Sequence, residues 1–312
     1  MLTVIGEALV DIVRPAGREP RAHPGGSPLN VAVGVSRLGH RTAFIGRYGR
    51  DEHGRSIEEH LAESGVVVPL GADERPTSVA EAEIAEDGAA QYQFQLDWTL
   101  DGAQEQLSQI LAGTGALHVG SIGAMLEPGA STVLGAVREA APHALVSYDP
   151  NCRPTIIPDS SQARAWAEAV IEHADLVKAS DEDLLWLYPQ RTVEESARAW
   201  CEAGPRLVVL TRGKLGPWAL HESTGPQGIR VDPPAVEVAD TVGAGDSMMA
   251  GLLSALLDRS ICGEQARDRL AALDVETLRA VVEEAAAAAA ITVSRPGADP
   301  PTREELAAFR SR

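Results

Sequence analysis

The sequence predicts an α/β fold, a three-layer α/β/α arrangement around a mostly parallel sheet, with a small β lid attached. Three observations predict it. Short apolar runs alternate along the chain with helix-like stretches. The runs are apolar throughout instead of alternating, as in parallel strands covered on both faces. One segment, Ser78–Leu96, breaks this rhythm with a period of two.

In chain order, strands are expected at Leu2–Ile5, Thr42–Ile45, Leu117–Val119, Leu145–Tyr148, Leu176–Val177 and Leu207–Leu210. Helices are expected between them at Leu29–Leu38, Glu52–Glu63, Ala130–Ala140, Ala163–Glu172 and Val193–Glu202. In such a sheet the ligand site lies beyond the carboxyl ends of the strands. Across the period-two segment, Ala80, Ala82 and Ile84 share one face, as do Tyr92, Phe94 and Leu96, with Gln91, Gln93 and Gln95 opposite. Glu86-Asp87-Gly88 between the runs is a hairpin-turn signal. Asp11–Arg21 is the segment expected to pair with this hairpin. The chain thus reads as one domain over 1–312, with lid insertions at approximately 11–24 and 77–98. The insertion is an edge ornament on the bland reading, and a lid or dimerisation flap on the sharper one.

A chain of 312 residues buries a large core without disulfide staples. Cys152, Cys201 and Cys262 are odd in number, widely spaced and in no metal-like pattern, which fits a reducing compartment. No signal-like or membrane-length apolar segment is evident, so a cytoplasmic location is expected. The balance of 45 acidic against 27 basic residues argues against a nucleic-acid partner, which calls for a basic face. An anionic small substrate is not excluded by it, because local donors and a metal ion outweigh a distant field.

The chemistry concentrates at Asp240-Thr241-Val242-Gly243-Ala244-Gly245-Asp246, with the apolar helix Ser247–Leu257 after it and an expected strand end at Val236 and Val238 before it. A small-residue turn opening a helix presents unpaired N–H groups at the positive end of the helix dipole, a setting for anions. Asp246 reads either as a capping residue or as a base that takes a proton from an attacking hydroxyl. Rival phosphate loops fail. Arg212-Gly213-Lys214-Leu215 lacks both the earlier glycine and the hydroxyl residue of a P-loop, and Met248 stands at the third glycine position of a dinucleotide fingerprint. The alanine tract Ala285–Ala290 suits close helix packing or a flat ligand equally well.

The 240–246 run resembles the C-terminal signature of the ribokinase-like (PfkB) carbohydrate kinases. Gly25-Gly26-Ser27-Pro28-Leu29-Asn30, leading into Val31–Gly39, resembles their N-terminal signature. Two motifs in the right order are far more specific than one, and the similarity runs from Val4-Ile5-Gly6-Glu7 to Arg295-Pro296-Gly297-Ala298. The resemblance implies a sugar kinase that uses ATP and magnesium. Asp246 would be its base, and the N–H groups of Gly243, Ala244 and Gly245 its anion hole. Asp11, Gly25, Gly26 and Asn30 would hold the sugar.

Lys178-Ala179-Ser180-Asp181-Glu182-Asp183 occupies the place of the family's lysine and N-x-x-E element, with Ser180 and Asp183 departing from it. These residues would serve phosphate and, through water, magnesium. Thr211-Arg212-Gly213 resembles the T-x-G turn near the triphosphate, and adenine would lie near Ala288–Gly297. Asp149-Pro150-Asn151-Cys152-Arg153 resembles the D-x-N-x-R stretch of fructokinases and 2-keto-3-deoxygluconate kinases. A guanidinium at Arg153 suits a carboxylate or phosphate. Asp97 and Trp98 are candidate sugar contacts. Asp240 and the carbonyl of Val242 match two ligands of a monovalent cation such as K+, although Asp240 also suits an Asx turn.

The expected activity is fructokinase-like, with 2-keto-3-deoxygluconate kinase or ribokinase specificity as alternatives. A non-catalytic sugar or nucleotide sensor on the same fold, or an unrelated doubly wound ligase or dehydrogenase, are readings of other classes. A homodimer through the lid is the expected assembly.

Overall fold

The computed structural model describes residues 1–15, 19–84 and 90–311. The expected turn at Glu86-Asp87-Gly88 falls outside them.

The chain starts with three strands, β1 (Leu2–Ile5), β2 (Leu9–Pro15) and β3 (Arg21–Gly25), then helix α1 (Ser27–Arg37), β4 (Thr42–Ile45) and α2 (Glu52–Glu63). β5 (Ser78–Ile84), β6 (Ala90–Gln95) and α3 (Gln104–Ala112) follow. Strands and helices then alternate through β7 (Ala116–Gly120), α4 (Gly129–Ala140), β8 (Leu145–Asp149), α5 (Ser160–Ile171) and β9 (Leu176–Ser180). Next come α6 (Asp181–Leu187), α7 (Val193–Ala203), β10 (Leu207–Thr211), β11 (Trp218–His221) and β12 (Ile229–Arg230). Four helices close the chain: α8 (Ala244–Asp258), α9 (Ala266–Ala271), α10 (Val275–Val293) and α11 (Arg303–Arg310).

Eight strands form the main sheet in the order β12-β11-β10-β9-β8-β7-β1-β4. Pairing is parallel from β4 through β10, and antiparallel where β11 and β12 are added. Successive side chains of a strand point to opposite faces, so each strand feeds two cores. Leu2 and Val4 pack with α1, α8 and α10, whereas Ile5, Leu117 and Val119 pack with α3, α4 and α5. That double burial explains why these strands read as unbroken apolar runs.

A second sheet has the order β3-β2-β5-β6. β2 pairs antiparallel with β3 and parallel with β5, and β5 pairs antiparallel with β6. The segment expected to join the hairpin does so. Its foot is tied down firmly: buried Arg47 binds the Asp73 carboxylate through two nitrogens at 2.9 Å and the carbonyls of Pro76 and Asp97.

Two expectations need correction. Val236 and Val238 end no strand, because the backbone from 231 to 243 is irregular. It is held by its own anchors, with the amides of Ala239 and Asp240 donating to the Val293 carbonyl. Ala288 has no surface to offer adenine: it is 0 % exposed and closes on Gly251 of α8. The alanine tract therefore serves close packing of α10 on α8.

Candidate active site

Strand order reverses at β1, with β4 on one side and β7 to β10 on the other. Ligands of open α/β sheets bind at such a switch point, beyond the carboxyl ends. Those ends deliver Glu7 after β1, Ser121 after β7, Asp149 on β8, Ser180 on β9 and Thr211 on β10.

α8 starts here. Its N-cap, Gly243, takes φ 73°, and a Cβ at this position would lie 2.6 Å from that of Ala298. Both facts demand glycine. No side chain caps the helix, so its first-turn amides, which lack intrahelical partners, face the site free of side-chain acceptors. Asp246 is the third helical residue and does not cap. Its carboxylate reaches across to α1 instead. Asn30 Nδ2 donates to Oδ2 at 2.8 Å, and Ser27 Oγ donates to Oδ1 at 2.6 Å. Asp246 is therefore not the capping residue of α8. It is 8 % exposed and lies where the N-termini of α1 and α8 converge.

Behind this turn stands a buried ion pair. Lys178 Nζ lies 2.8 Å from Asp149 Oδ2 and donates to the Gly245 carbonyl at 3.2 Å. Asp149 is 1 % exposed and its Oδ1 has no hydrogen-bond partner. Burial pushes its carboxyl up to about 6, repulsion from Asp183 and Asp246 adds to this, and Lys178 opposes it. His118, deeper in the sheet, is driven down to about 3 by burial and by Lys178, so it stays neutral.

On the other flank, β2 places Asp11 directly against Gly25, where a Cβ would strike the Asp11 carboxylate. Gly26 follows with φ 113° and its α-carbon against the Glu7 carbonyl. Asp11 keeps an accessible edge, yet the surrounding walls strip enough water to raise its carboxyl to about 6, with Arg153 and His23 opposing the rise. Glu7 lies beneath, with Oε2 accepting from the Gly123 amide at 2.8 Å. Burial pushes it up to about 7, against hydrogen bonds from the backbone and Ser121 and the charge of Arg153.

Several candidates are spent elsewhere. The Asp97 carboxylate lies 3.3 Å from Arg75 at the foot of the small sheet, and Trp98 is buried with Nε1 donating to the Gly123 carbonyl. Trp98 therefore faces no sugar. Ser180 and Asp183 form the capping box of α6, and Asp183 also accepts from the Cys152 amide at 2.7 Å. Both Asp183 oxygens accept from protein donors. Asp240 makes the Asx turn, accepting from the Val242 amide at 3.0 Å, and also accepts from the Gly297 amide at 2.8 Å. Thr211 and Gly213 stand at the open end of β10, Gly213 with φ 49° and exposed.

Sequence reasoning missed Ser27, Asp149 and Glu7 as site residues. Ser27 and Asn30 are three apart and share one helix face, which was the available signal. Asp149 ends an apolar strand with a charge at the ligand-binding edge. Glu7 carried no signal of its own. A cavity of about 520 Å³ lined by Val238, Ile291, Ser294, Arg295, Glu305 and Phe309 adjoins the segment expected to hold adenine.

Comparison with known proteins fits this geometry. Residues 1–305 match the pfkB family carbohydrate kinase model. The chain is 32% identical to probable fructokinase-4 of Arabidopsis thaliana, covering 98% of this chain and 95% of that protein. A fructokinase of Xylella fastidiosa solved with bound ATP superposes with a TM-score of 0.88 at 26% identity, covering 99% and 98% of the two chains. A fructokinase double mutant of Vibrio cholerae, solved with fructose, ADP and potassium ion, gives 0.77 at 28% identity, covering 99% and 97%. With both motifs, the reversal at β1 and a whole-chain match in agreement, the chain belongs to the pfkB family of carbohydrate kinases, and it is a fructokinase-like phosphotransferase acting on a sugar hydroxyl.

Proposed function

We propose that the chain transfers the γ-phosphoryl group of ATP to a hydroxyl of a neutral sugar, with fructose first among the candidates and Asp246 as the base. One observation carries the reading: the Asp246 carboxylate is shared between a helix N-terminus fit for phosphate and the asparagine of the sugar-binding motif.

Asp11, the Gly25-Gly26 backbone and Asn30 hold the sugar. Asp246 accepts the hydroxyl proton as the oxygen attacks the γ-phosphorus, and the bond to ADP breaks. The amides of Gly243, Ala244 and Gly245, with Lys178 alongside, stabilise the negative charge, commonly the largest catalytic contribution. The solved fructokinase with ATP and the one with fructose, ADP and potassium ion support these two substrates.

Among the described residues no three His, Cys, Asp or Glu side chains converge on a metal site. Magnesium would ride mainly on the phosphates, keep several waters and neutralise their charge. Asp240, the Val242 carbonyl and the Gly297 loop are the set that would take potassium. The small sheet acts as a lid that excludes competing water, and also as the face for a homodimer: Tyr92 is 58 % exposed and stacks on Phe94 with ring centroids 6.1 Å apart.

Neutral sugars are favoured over sugar acids because the charge of Arg153 is already offset by two nearby carboxylates, Glu7 and Asp11. An ADP-release assay over fructose, ribose and 2-keto-3-deoxygluconate tests this, with the highest kcat/KM expected for fructose. Preference for the keto acid would refute the substrate reading, and binding without ADP release would make the protein a sensor. Asp246→Asn should lower turnover by about 10²–10⁴-fold with nucleotide binding retained. Unchanged turnover would strip Asp246 of its role.

A further inference from the structure

Asp246 has two donors, and of these only Asn30 is assigned to the sugar. The other, Ser27, is the first residue of α1 and is buried. A serine in the first turn of a helix has an ordinary use, bonding the amides of its own turn. Ser27 does something else. No side-chain cap forms on α1, and the hydroxyl spans 219 residues of sequence to donate to Asp246 Oδ1 at 2.6 Å. Asn30, one helical turn on, takes Oδ2. The two carboxylate oxygens thus have different neighbours. Sugar binding gives the Asn30 amide a new partner and frees Oδ2, whereas buried Ser27 has no sugar to turn to. The groups that titrate around this turn are Asp149 from β8 and Lys178 from β9. α1 meets Asp246 through neutral side chains, and α10 meets the adjacent Ser247 through Thr292.

We infer that Ser27 is a positioning residue for phosphoryl transfer: its hydroxyl fixes Oδ1 of Asp246 and so makes Oδ2 the oxygen that takes the proton from the sugar. The proton moves from the sugar hydroxyl to Oδ2, the sugar oxygen bonds to the γ-phosphorus, and the phosphorus–oxygen bond to ADP breaks. The inference rests on Asp246 being the base. A lost charge-assisted hydrogen bond has two consequences. The carboxylate swings more freely, and it is harder to ionise.

The test compares Ser27→Ala and Ser27→Thr in the full-length protein, with ATP and fructose varied across pH. Ser27→Ala should lower kcat about tenfold, in line with a charge-assisted hydrogen bond, and keep the sugar KM within about twofold. The acid limb of the kcat profile should move to higher pH by roughly one unit. Ser27→Thr, which keeps the hydroxyl, should restore both. Calorimetric ATP binding checks that each variant is folded, and Ser27→Cys, of similar size with a weaker donor, replaces the alanine variant if that one is not. An unmoved acid limb overturns the inference, whether kcat is unchanged or falls without rescue by threonine. If Asp246→Asn loses turnover while Ser27→Ala is silent, Ser27 alone is refuted. If Asp246→Asn keeps its turnover, the base assignment fails and takes this inference with it.

Discussion

The proposed sugar-facing and nucleotide-facing halves of the site are built differently. On the sugar side, Glu7 after β1 and Ser27 and Asn30 on α1 already hold protein hydrogen bonds, while Asp11 on β2 stands at the open edge. On the nucleotide side, Val238 and Val242 lie on exposed, irregular backbone, and Gly213 and Leu215 in an exposed 3-10 turn. The difference reflects what each half must do. The acceptor hydroxyl has to be oriented against water to within a fraction of an ångström, whereas the nucleotide must enter and its product leave. The halves meet at one rigid object, the start of α8.

That contrast can be broken by substitution. The largest effect beyond Asp246 itself is expected at the junction. Gly243→Ala puts a β-carbon into a left-handed position 2.6 Å from Ala298 and displaces the amides that would hold phosphate. Turnover should fall about 10²-fold, the typical cost of one oxyanion-hole donor, with little change in sugar KM. A sugar KM that moved as much as kcat would show that the halves are not separable there. Next, Asp11→Asn should raise the sugar KM at least tenfold, from about 1.5–3 kcal/mol for a charge-assisted hydrogen bond, and leave the ATP KM alone. Equal changes in both constants would erase the distinction.

Acid should weaken the sugar half. Ionised Asp11 is the stronger acceptor for a sugar hydroxyl, and its carboxyl is raised to about 6, so the sugar KM should climb as pH falls through that value.

The smallest effect is on stability. Glu7 is raised from 4.5 to about 7 by burial, so the folded protein binds a proton that the unfolded chain has released. Its stabilisation is complete below about 4.5 and is lost as pH rises through about 7. Glu7→Gln should flatten that stretch of a Tm-against-pH curve. A Glu7→Gln curve that keeps the wild-type slope between pH 5 and 7 would contradict the assignment.

How far the sequence carries depends on what kind of contact is involved. The main strands were legible because burial on two faces leaves an unbroken apolar signature, as in Leu207–Leu210. The small sheet was legible through its alternation. The 236–238 stretch was misread because apolar residues in an irregular loop look like a strand end when the anchor beside them, Ala239 and Asp240 on the Val293 carbonyl, joins residues far apart in sequence. Within the site, motif resemblance supplied Asp246 and Asn30 but not their contact. Ser27 hid between named residues, and Asp149 and Glu7 matter through burial, which no local pattern displays. Asp183 and Asp97 show the complementary difficulty: which donors reach a carboxylate, Ser180 and the Cys152 amide or Arg75, is not written in the local pattern.

The pairing of β2 with β5 has a mechanical consequence. The small sheet is no independent hairpin hung on the body, because one of its four strands, β3, runs without a break into Gly25 and the first turn of α1. Tilting that sheet pulls on the peptide that carries Ser27 and Asn30, and through them on the acid at 246. On the proposed function, shutting the cover and aiming the acid at 246 would be two ends of a single lever.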